Sequence, residues 1–197
     1  SLIEKTLNEV QNDTIAEVFS SATSKFKDQD YKAALNLYLQ VTPETSDSLL
    51  GAASCYKELG NLNKAFEYYK KAEAIAPNNS EIPYYIGYLY SEQQKWLEAE
   101  GYLRKAMKIN PDPQTQKLLD FVVQNSVNAS LNQAIDLYEK AKYDEALTKL
   151  NFVLGKDSAN AYAYYYRGLI YDEQKRFQLA ISDYLNVLKY SSSLISS

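Results

Sequence analysis

The sequence predicts an all-α protein, an α-solenoid in which antiparallel helix pairs stack in a row. A pattern of small residues, aromatic residues and proline in residues 46–77 returns 34 residues later. The small residues recur where two helices must touch, and the proline recurs where a helix must stop. The segment DYKAALNLYLQV also places its apolar residues on one face of a helix. A fixed period of this length is typical of stacked helical hairpins.

The N-terminal segment, residues 1–14, is predicted to form an extra helix ahead of the first repeat. Its apolar residues lie at helical spacing, and Ser1 and Glu4 have the spacing of a capping box. A second capping-box pair, Thr14 and Glu17, follows directly. We therefore predict a break at Asn12-Asp13 and a new helix from about residue 15.

The first three repeats are placed at residues 15–45, 46–79 and 80–113. Pro43 ends the first of them. In the second, Gly60-Asn61 is predicted to turn the chain between the two helices, since both residues tolerate left-handed backbone angles. In the third, Asn79 or Ser80 is expected to cap the first helix.

The period then slips by 13 residues, and residues 114–126 fit no repeat. Repeat four is placed at 127–160, repeat five at 161–192, and a polar tail at 193–197. The inserted stretch either lengthens the first helix of repeat four or packs as a separate helix at a joint. We favour a break, because the run 125–128 (NSVN) is rich in capping residues. The array would then form two blocks, repeats one to three and repeats four to five.

Composition excludes several classes of function. The net charge of −4 and the pI of about 5.0 disfavour a nucleic-acid surface. The chain has no His and one Cys, so we expect no enzyme, no metal site and no cofactor. No apolar run reaches the roughly 18 residues of a membrane helix. The opening residues SLIEK include neither an initiator Met nor a signal-peptide core. We expect a cytoplasmic protein of which this chain is a trimmed part.

The repeat pattern resembles the tetratricopeptide repeat (TPR) family. That family favours Gly or Ala at position 8, an aromatic residue at 11, Ala at 20 and 27, and Pro at 32. Repeat two, numbered from Ser46, offers Ala53, Tyr56, Ala65, Ala72 and Pro77 at these positions. The resemblance covers about four-fifths of the chain. It implies a right-handed superhelix that binds other proteins.

The resemblance also implies a concave groove lined by the first helix of each pair. At the corresponding positions, repeats three and five place an aromatic and acidic set. We predict peptide contacts from Tyr84, Tyr85, Tyr88, Glu92, Tyr162, Tyr165, Tyr166 and Glu173. Tyr84 and Tyr165 occupy a position that is often aromatic in the family, which favours a structural role for these two.

Position 13 is Glu in four repeats, at residues 58, 92, 139 and 173. If each Glu pairs with a basic side chain three residues later, as in Glu92–Lys95, these residues form ordinary surface ion pairs with no role in binding. The alternative is a row of carboxylates that binds a basic peptide. The Lys, Asn and Arg clamp by which some TPR domains bind a terminal carboxylate is absent, since Gly51 and Tyr85 stand at two of its positions.

Two function classes stay open at this level. The first is a non-enzymatic scaffold that binds a peptide segment of a partner protein in a Tyr/Glu-lined groove. The alternative is a self-assembling structural protein, a homo-oligomer formed through the C-terminal face of residues 177–190. RNA binding by a related helical repeat is disfavoured by the acidic groove.

Overall fold

The structure is a computed structural model that describes the backbone of residues 2–192 and the side chains of residues 14–191. Within residues 2–192 it contains ten helices and no strand, so the predicted all-α solenoid of antiparallel helix pairs is confirmed. No helix in this range is long and apolar enough to cross a bilayer. The helices are α1 Leu2–Lys27, α2 Tyr31–Tyr38, α3 Ser46–Glu58, α4 Leu62–Ile75, α5 Glu81–Glu92, α6 Trp96–Ile109, α7 Pro113–Glu139, α8 Tyr143–Lys156, α9 Ala161–Glu173 and α10 Phe177–Ser192.

The chain divides into two compact units, residues 1–119 and residues 120–197. Unit 1 contains three hairpins, α1 with α2, α3 with α4 and α5 with α6, and each hairpin packs on the next. Its main core lies between the second and third hairpins. The buried members are Leu49, Ala53, Tyr56, Ala65, Tyr69, Ala72, Ile82, Ile86 and Leu89.

Unit 2 contains α8, α9, α10 and the part of α7 that follows Leu119. Helix α9 packs on both α8 and α10. The core joins α7, α8 and α9 through Val127, Ala134, Ala146, Leu150, Val153, Ala163 and Ile170. The tail predicted for residues 193–197 lies outside the described residues.

Small residues stand where two helices of a hairpin approach most closely. A Cβ atom added at Gly87 would lie 2.8 Å from Leu103 Cγ, and one added at Gly168 would lie 2.7 Å from Tyr184 Cε1. The carbonyl oxygen of Ala99 lies 3.2 Å from the atom added at Gly87, and Ala99 has no exposed surface. Ala65 and Ala146, at the same position in two other repeats, are also fully buried. Larger side chains at such sites would force the helices apart.

Every hairpin turns through one residue with left-handed backbone angles. Gly60, at φ +77°, makes the predicted turn in repeat two. The same place in the other four repeats is held by non-glycine residues with φ between +55° and +62°, namely Gln29, Gln94, Ala141 and Lys175. The turn geometry is therefore common to all repeats, although glycine occurs in one of them.

The structure corrects two predicted helix breaks. Helix α1 runs through Asn12-Asp13 without interruption. Asn and Asp cost a helix less than about 0.7 kcal/mol each relative to Ala, so a capping signal alone does not end it. Side chains before Thr14 lie outside the described set.

Helix α7 likewise runs through the predicted break at residues 125–128. Ser126 and Val127 are buried there. The Asn125 side chain donates to the carbonyl oxygen of Phe121, and Gln124 donates to Asn128 Oδ1. The polar side chains therefore bond along the helix instead of capping a new one, and burial of the adjacent face keeps the helix continuous.

The cap predicted for the third repeat lies at Asn79. Its side-chain oxygen accepts a hydrogen bond of 3.0 Å from the backbone N–H of Glu81, the first residue of α5. Ser80 makes no side-chain capping bond.

Candidate functional site

Unit 1 holds an open cavity of about 660 Å³ between the first helices of its three hairpins, which we call the unit 1 groove. Helices α1, α3 and α5 line it, and α2 adds one residue. The lining consists of Phe19, Thr23, Phe26, Tyr38, Asp47, Leu50, Gly51, Ser54, Lys57, Glu58, Glu81 and Tyr85. The volume is within the range of ordinary ligand pockets.

One wall of the groove depends on the absence of a side chain at Gly51. A Cβ atom at this position would lie 2.5 Å from the ring of Tyr38, so glycine lets the Tyr38 ring lie directly against α3. Tyr38 and Thr23 share a hydrogen bond of 3.2 Å between their hydroxyl groups. Phe19 packs edge-on against Tyr38 at a centroid distance of 5.5 Å. These contacts fix an aromatic wall between the first and second hairpins.

The opposite wall is anchored by the fully buried Tyr69. Its ring stacks on Tyr85 with a centroid distance of 5.6 Å and an interplanar angle of 9°. Its hydroxyl shares a hydrogen bond of 3.1 Å with Ser54. Burial raises the pKa of Tyr85, and the nearby carboxylate of Glu81 adds to this rise. Tyr85 therefore presents a neutral phenol at a fixed position in the groove.

The charges in the groove are mostly negative. Asp47, Glu58 and Glu81 are acidic, and Lys57 is the single cation among the lining residues. Lys57 Nζ lies 2.7 Å from Glu58 Oε1 and 5.2 Å from the centroid of the Tyr88 ring. Burial pulls the pKa of Lys57 down, but the adjacent Glu58 carboxylate outweighs it and the net pKa shift is upward.

The four site residues predicted in repeat three occupy different surroundings. Tyr85 lines the unit 1 groove, and Tyr88 lies under Lys57 at its edge. Tyr84 packs edge-on against Tyr85 and lines a neighbouring crevice of about 280 Å³, where its hydroxyl oxygen accepts a hydrogen bond of 2.9 Å from Gln114. Glu92 is exposed at the end of α5 and does not line the groove.

The four site residues predicted in repeat five lie on α9 in unit 2. Tyr162 and Tyr165 are 68% and 44% exposed and line an apolar crevice of about 350 Å³ together with Val187. Tyr166 is half-buried and packs edge-on against Tyr138 at 5.7 Å. Glu173 is the exposed last residue of α9. Tyr166 and Glu173 do not line the crevice of Tyr162 and Tyr165, so the structure does not gather these four residues into one cavity.

The predicted pairing of the position-13 glutamates is not present among the described side chains. Lys142 pairs with Glu145 at 3.2 Å instead of Glu139. Neither Glu92 with Lys95 nor Glu173 with Arg176 comes within ion-pair distance. The short helices end before the two side chains can meet across the turn.

Most of the groove lining was not among the predicted site residues. Six of its residues belong to α3 in repeat two, and four belong to repeat one. The family positions for the concave face do fall on Asp47, Leu50, Gly51, Ser54, Lys57 and Glu58. The sequence signal that could have selected them was the small Gly51 itself, since it admits a ring from the preceding hairpin.

The described side chains do not form a metal-binding cluster. No group of three or more His, Cys, Asp or Glu side chains in residues 14–191 is placed to hold a metal ion. Burial raises the pKa of the Cys55 thiol to about 12, which leaves it protonated and unreactive. The chemistry that the groove offers is therefore non-covalent contact with aromatic, apolar and acidic side chains.

The fold resembles solved structures of other helical-repeat proteins. The type III secretion chaperone SycD of Yersinia enterocolitica, solved in complex with a peptide of the translocator YopD, matches with a TM-score of 0.51 and 19% identity. The match covers 57% of this chain and 89% of SycD. At this identity the likeness concerns the fold alone.

Two curated proteins are similar in sequence. DnaJ homolog subfamily C member 3 of Gallus gallus is 23% identical over 73% of this chain, and the match covers 29% of that protein. Anaphase-promoting complex subunit CDC16 of Saccharomyces cerevisiae is 27% identical over 68% of this chain and 15% of its own length. The chain thus spans less than a third of either relative.

Family models confirm the repeat pattern. One model described as tetratricopeptide repeat matches residues 19–80 and 131–193, and a second matches residues 58–120. Together they cover most of the chain, in both units. The chain belongs to the tetratricopeptide repeat family.

Proposed function

We propose that this chain is a non-enzymatic protein-interaction scaffold whose unit 1 groove binds a peptide segment of a partner protein. The observation that supports the proposal most directly is the cavity of about 660 Å³, lined by the first helices of three consecutive hairpins. Its walls are held by the Phe19–Tyr38 and Tyr69–Tyr85 ring contacts, so little side-chain entropy would be lost on binding. The SycD complex supplies an example of a chain of this fold with a bound peptide.

The dimensions of α3 suit a short peptide. Asp47 and Glu58 are separated by about 16 Å along the helix axis, at 1.5 Å per residue. That length accommodates about five residues of extended peptide, or three turns of a helix. Leu50, Gly51 and Ser54 lie between these ends and offer a smooth central surface.

The test is to change the centre of the groove and to compare it with a control that alters the same core from outside the groove. A phage-displayed library of short random peptides is selected on the chain, and the tightest peptide is measured by fluorescence anisotropy. Leu50→Gln is expected to weaken binding by about tenfold or more, because it puts a polar group at the apolar centre. Leu62→Gln is the matched control, since Leu62 packs against the same core cluster from α4, outside the groove.

Equal loss of affinity in both variants, or in neither, would contradict the groove proposal. Circular dichroism of both variants excludes loss of fold as the cause of any difference.

The exposed tyrosines of α9 are proposed as a second contact surface. Tyr162 and Tyr165 are the most accessible of the predicted tyrosines in unit 2, and Val187 continues their apolar crevice. Tyr162→Ala should weaken the binding of any partner that uses this crevice. Helicity should stay unchanged, because Tyr162 contributes little to the core. A partner that binds only unit 1 would be unaffected by this substitution.

Self-assembly through the C-terminal face is a second candidate function. Ile181, Leu185 and Leu188 form one stripe on α10 and are 53%, 60% and 66% exposed. Phe177 extends the stripe by one turn and is 56% exposed. An exposed apolar stripe of this kind favours pairing with a second copy, since the contact would remove these side chains from water.

Sedimentation velocity over a range of protein concentrations tests self-assembly. The chain is expected to form a dimer that Leu185→Lys dissociates. Leu97→Lys is the matched control, because Leu97 is 61% exposed on α6 and does not belong to the stripe. A monomer at every concentration, or a dimer that survives Leu185→Lys, would contradict the proposal. The cytoplasmic location expected from the sequence stays a prediction.

A further inference from the structure

Two carboxylates in the unit 1 groove have no basic partner among the described side chains. Asp47 lies in the first turn of α3, and Glu81 is the first residue of α5. Both are exposed, and both line the groove. No Lys or Arg in residues 14–191 makes an ion pair with either of them. The Asp47 carboxylate accepts a hydrogen bond from the hydroxyl of Ser46.

The single cation that lines the groove does not compensate these charges. Lys57 is held at the other end of α3 by Glu58, at 2.7 Å, and by the face of the Tyr88 ring. Lys57 and Glu58 neutralise each other as a pair. The groove therefore keeps two negative charges at the end where α3 and α5 begin.

An aromatic ring lies beside these charges. Tyr85 follows Glu81 by one helical turn on α5. Burial raises the pKa of its phenol, Glu81 adds to the rise, and Lys57 opposes it only in part. The half-buried ring is held in place by stacking on Tyr69. Carboxylates next to an immobilised aromatic ring favour a cationic side chain, through both ion pairing and cation–π attraction.

We infer that the peptide bound in the unit 1 groove carries a Lys or Arg side chain beside Asp47, Glu81 and Tyr85, next to an apolar residue over Leu50 and Gly51. This inference rests on the proposed function and adds the chemical class of its ligand. An acidic peptide or a nucleic-acid strand would meet uncompensated negative charge at the same place, and the same electrostatics disfavours both.

Acidic residues in the first turn of a helix also interact favourably with the helix dipole, so a matched control is needed. Glu98 and Asp144 stand in the first turns of α6 and α8, outside the groove. The pair Glu98→Gln with Asp144→Asn removes the same two charges from equivalent helix positions. The test pair is Asp47→Asn with Glu81→Gln.

The experiment uses peptides selected from the random phage library on the complete chain. Selected sequences are expected to be enriched in Lys and Arg. The test pair is expected to lower the affinity of the best peptide by about threefold to thirtyfold, which is the effect of losing two partly exposed ion pairs. The control pair should leave affinity unchanged. Affinity for the unaltered chain should fall as salt is raised, and this dependence should be smaller in the test pair.

Two outcomes separate this inference from the proposed function. If Leu50→Gln abolishes binding, but the peptides lack basic residues or bind the test pair as tightly as the unaltered chain, the charge assignment is overturned and the groove proposal stands. If no peptide is selected, or if Leu50→Gln leaves peptide affinity unchanged, the groove proposal is overturned and the charge assignment with it.

Discussion

Helices α4 and α10 occupy the same place in their hairpins, yet one is covered and the other is not. Phe66, Lys70 and Glu73 on α4 correspond to Ile181, Leu185 and Leu188 on α10, each 115 residues further along. On α4, Phe66 packs edge-on against Tyr90 at 5.2 Å. Lys70 donates to the Tyr102 hydroxyl, and Glu73 accepts from Lys105 at 2.7 Å. The following hairpin supplies all three partners.

On α10 the same three positions are apolar and more than half exposed. We call the contact between α4 and the following hairpin the α4 seam. Polar side chains of α4 can form hydrogen bonds and ion pairs there, because the next repeat supplies their partners. Apolar side chains need no specific partner, but they gain free energy from any surface that removes them from water. The seam of α4 is therefore specific to its neighbour, whereas the face of α10 accepts any apolar cover.

The largest expected difference in stability between the two helices comes from a tyrosine that both contain. Tyr69 on α4 and Tyr184 on α10 are equivalent, but Tyr69 is fully buried and Tyr184 is only half-buried. Tyr69→Ala should lower the free energy of unfolding by about 3–5 kcal/mol, because it leaves a cavity and removes the Ser54 and Tyr85 contacts. Tyr184→Ala should cost about 1–2 kcal/mol.

Urea unfolding followed by circular dichroism measures both losses. Losses of equal size would break the comparison, since they would indicate that Tyr184 is covered in solution. Repeating the measurement at lower protein concentration would then tell whether a second copy supplies the cover.

The next effect tests whether α10 is held on its inner face as firmly as α4. Arg167 on α9 donates two hydrogen bonds to the Asp183 carboxylate, at 2.7 and 2.8 Å, and a third to Asn151 on α8. The Asp183 side chain is 4% exposed. Asp183→Asn should cost about 2–3 kcal/mol, because it leaves the Arg167 charge without its bidentate partner.

Asp136→Asn is the control for this substitution, since Asp136 forms an exposed pair with Lys140 in the same unit. It should change the free energy of unfolding by less than about 0.5 kcal/mol. An equally small loss in Asp183→Asn would mean that α10 is held by packing alone, and the contrast with the polar seam of α4 would be sharper.

The sequence predicts the hairpins well because their determinants are local and repeat. Small residues such as Gly87 and Ala99, a turn residue such as Gly60 and a regular period each act within one hairpin or between neighbours. The break predicted at residues 125–128 failed because contacts beyond the local sequence outweighed a local preference. A capping preference is worth about 1 kcal/mol, and burial of Val127 along the helix face exceeds it.

The groove was harder to predict than the helices. The concave positions of one repeat follow from helical spacing, but the cavity also requires the Tyr38 ring from the second helix of the preceding hairpin. How neighbouring hairpins bring Phe19, Tyr38 and Tyr85 around α3 depends on the packing angle between them. Periodicity does not contain that angle.

A smaller effect compares the turns that precede α4 and α8. Gly60 and Ala141 both have left-handed backbone angles, at φ +77° and +55°. Gly60→Ala should cost about 1 kcal/mol, because a Cβ atom is disfavoured in this region. Ala141→Gly relieves the same strain but gains backbone entropy in the unfolded chain, so the net stabilisation should be about 0.5 kcal/mol.

Thermal unfolding of the two single variants and of the double variant measures these changes. The two effects should add, since the residues lie in different units. Destabilisation by Ala141→Gly would show that the turn before α8 depends on the Ala141 methyl group in a way that the turn before α4 does not.

The smallest expected effect isolates the charge at the α4 seam. Partial burial pulls the pKa of Glu73 upward, but the Lys105 and Lys70 ammonium groups outweigh it and hold the pKa below its ordinary value. A lowered carboxyl pKa stabilises the fold above the ordinary value of about 4.3, and this contribution is lost as the pH falls through the lowered pKa. Glu73→Gln should therefore cost about 0.5 kcal/mol near neutral pH and nothing in acid.

Leu188→Gln is the matched substitution at the equivalent position of α10, and it should leave the pH dependence of stability unchanged. Urea unfolding over the acidic range, compared among the unaltered chain and the two variants, measures the difference in slope. If Glu73→Gln leaves the slope unaltered, the ion pairs with Lys70 and Lys105 contribute nothing measurable. The packing of α4 on the next hairpin would then depend on apolar contacts of Phe66 and its neighbours, and its difference from the apolar stripe of α10 would be smaller.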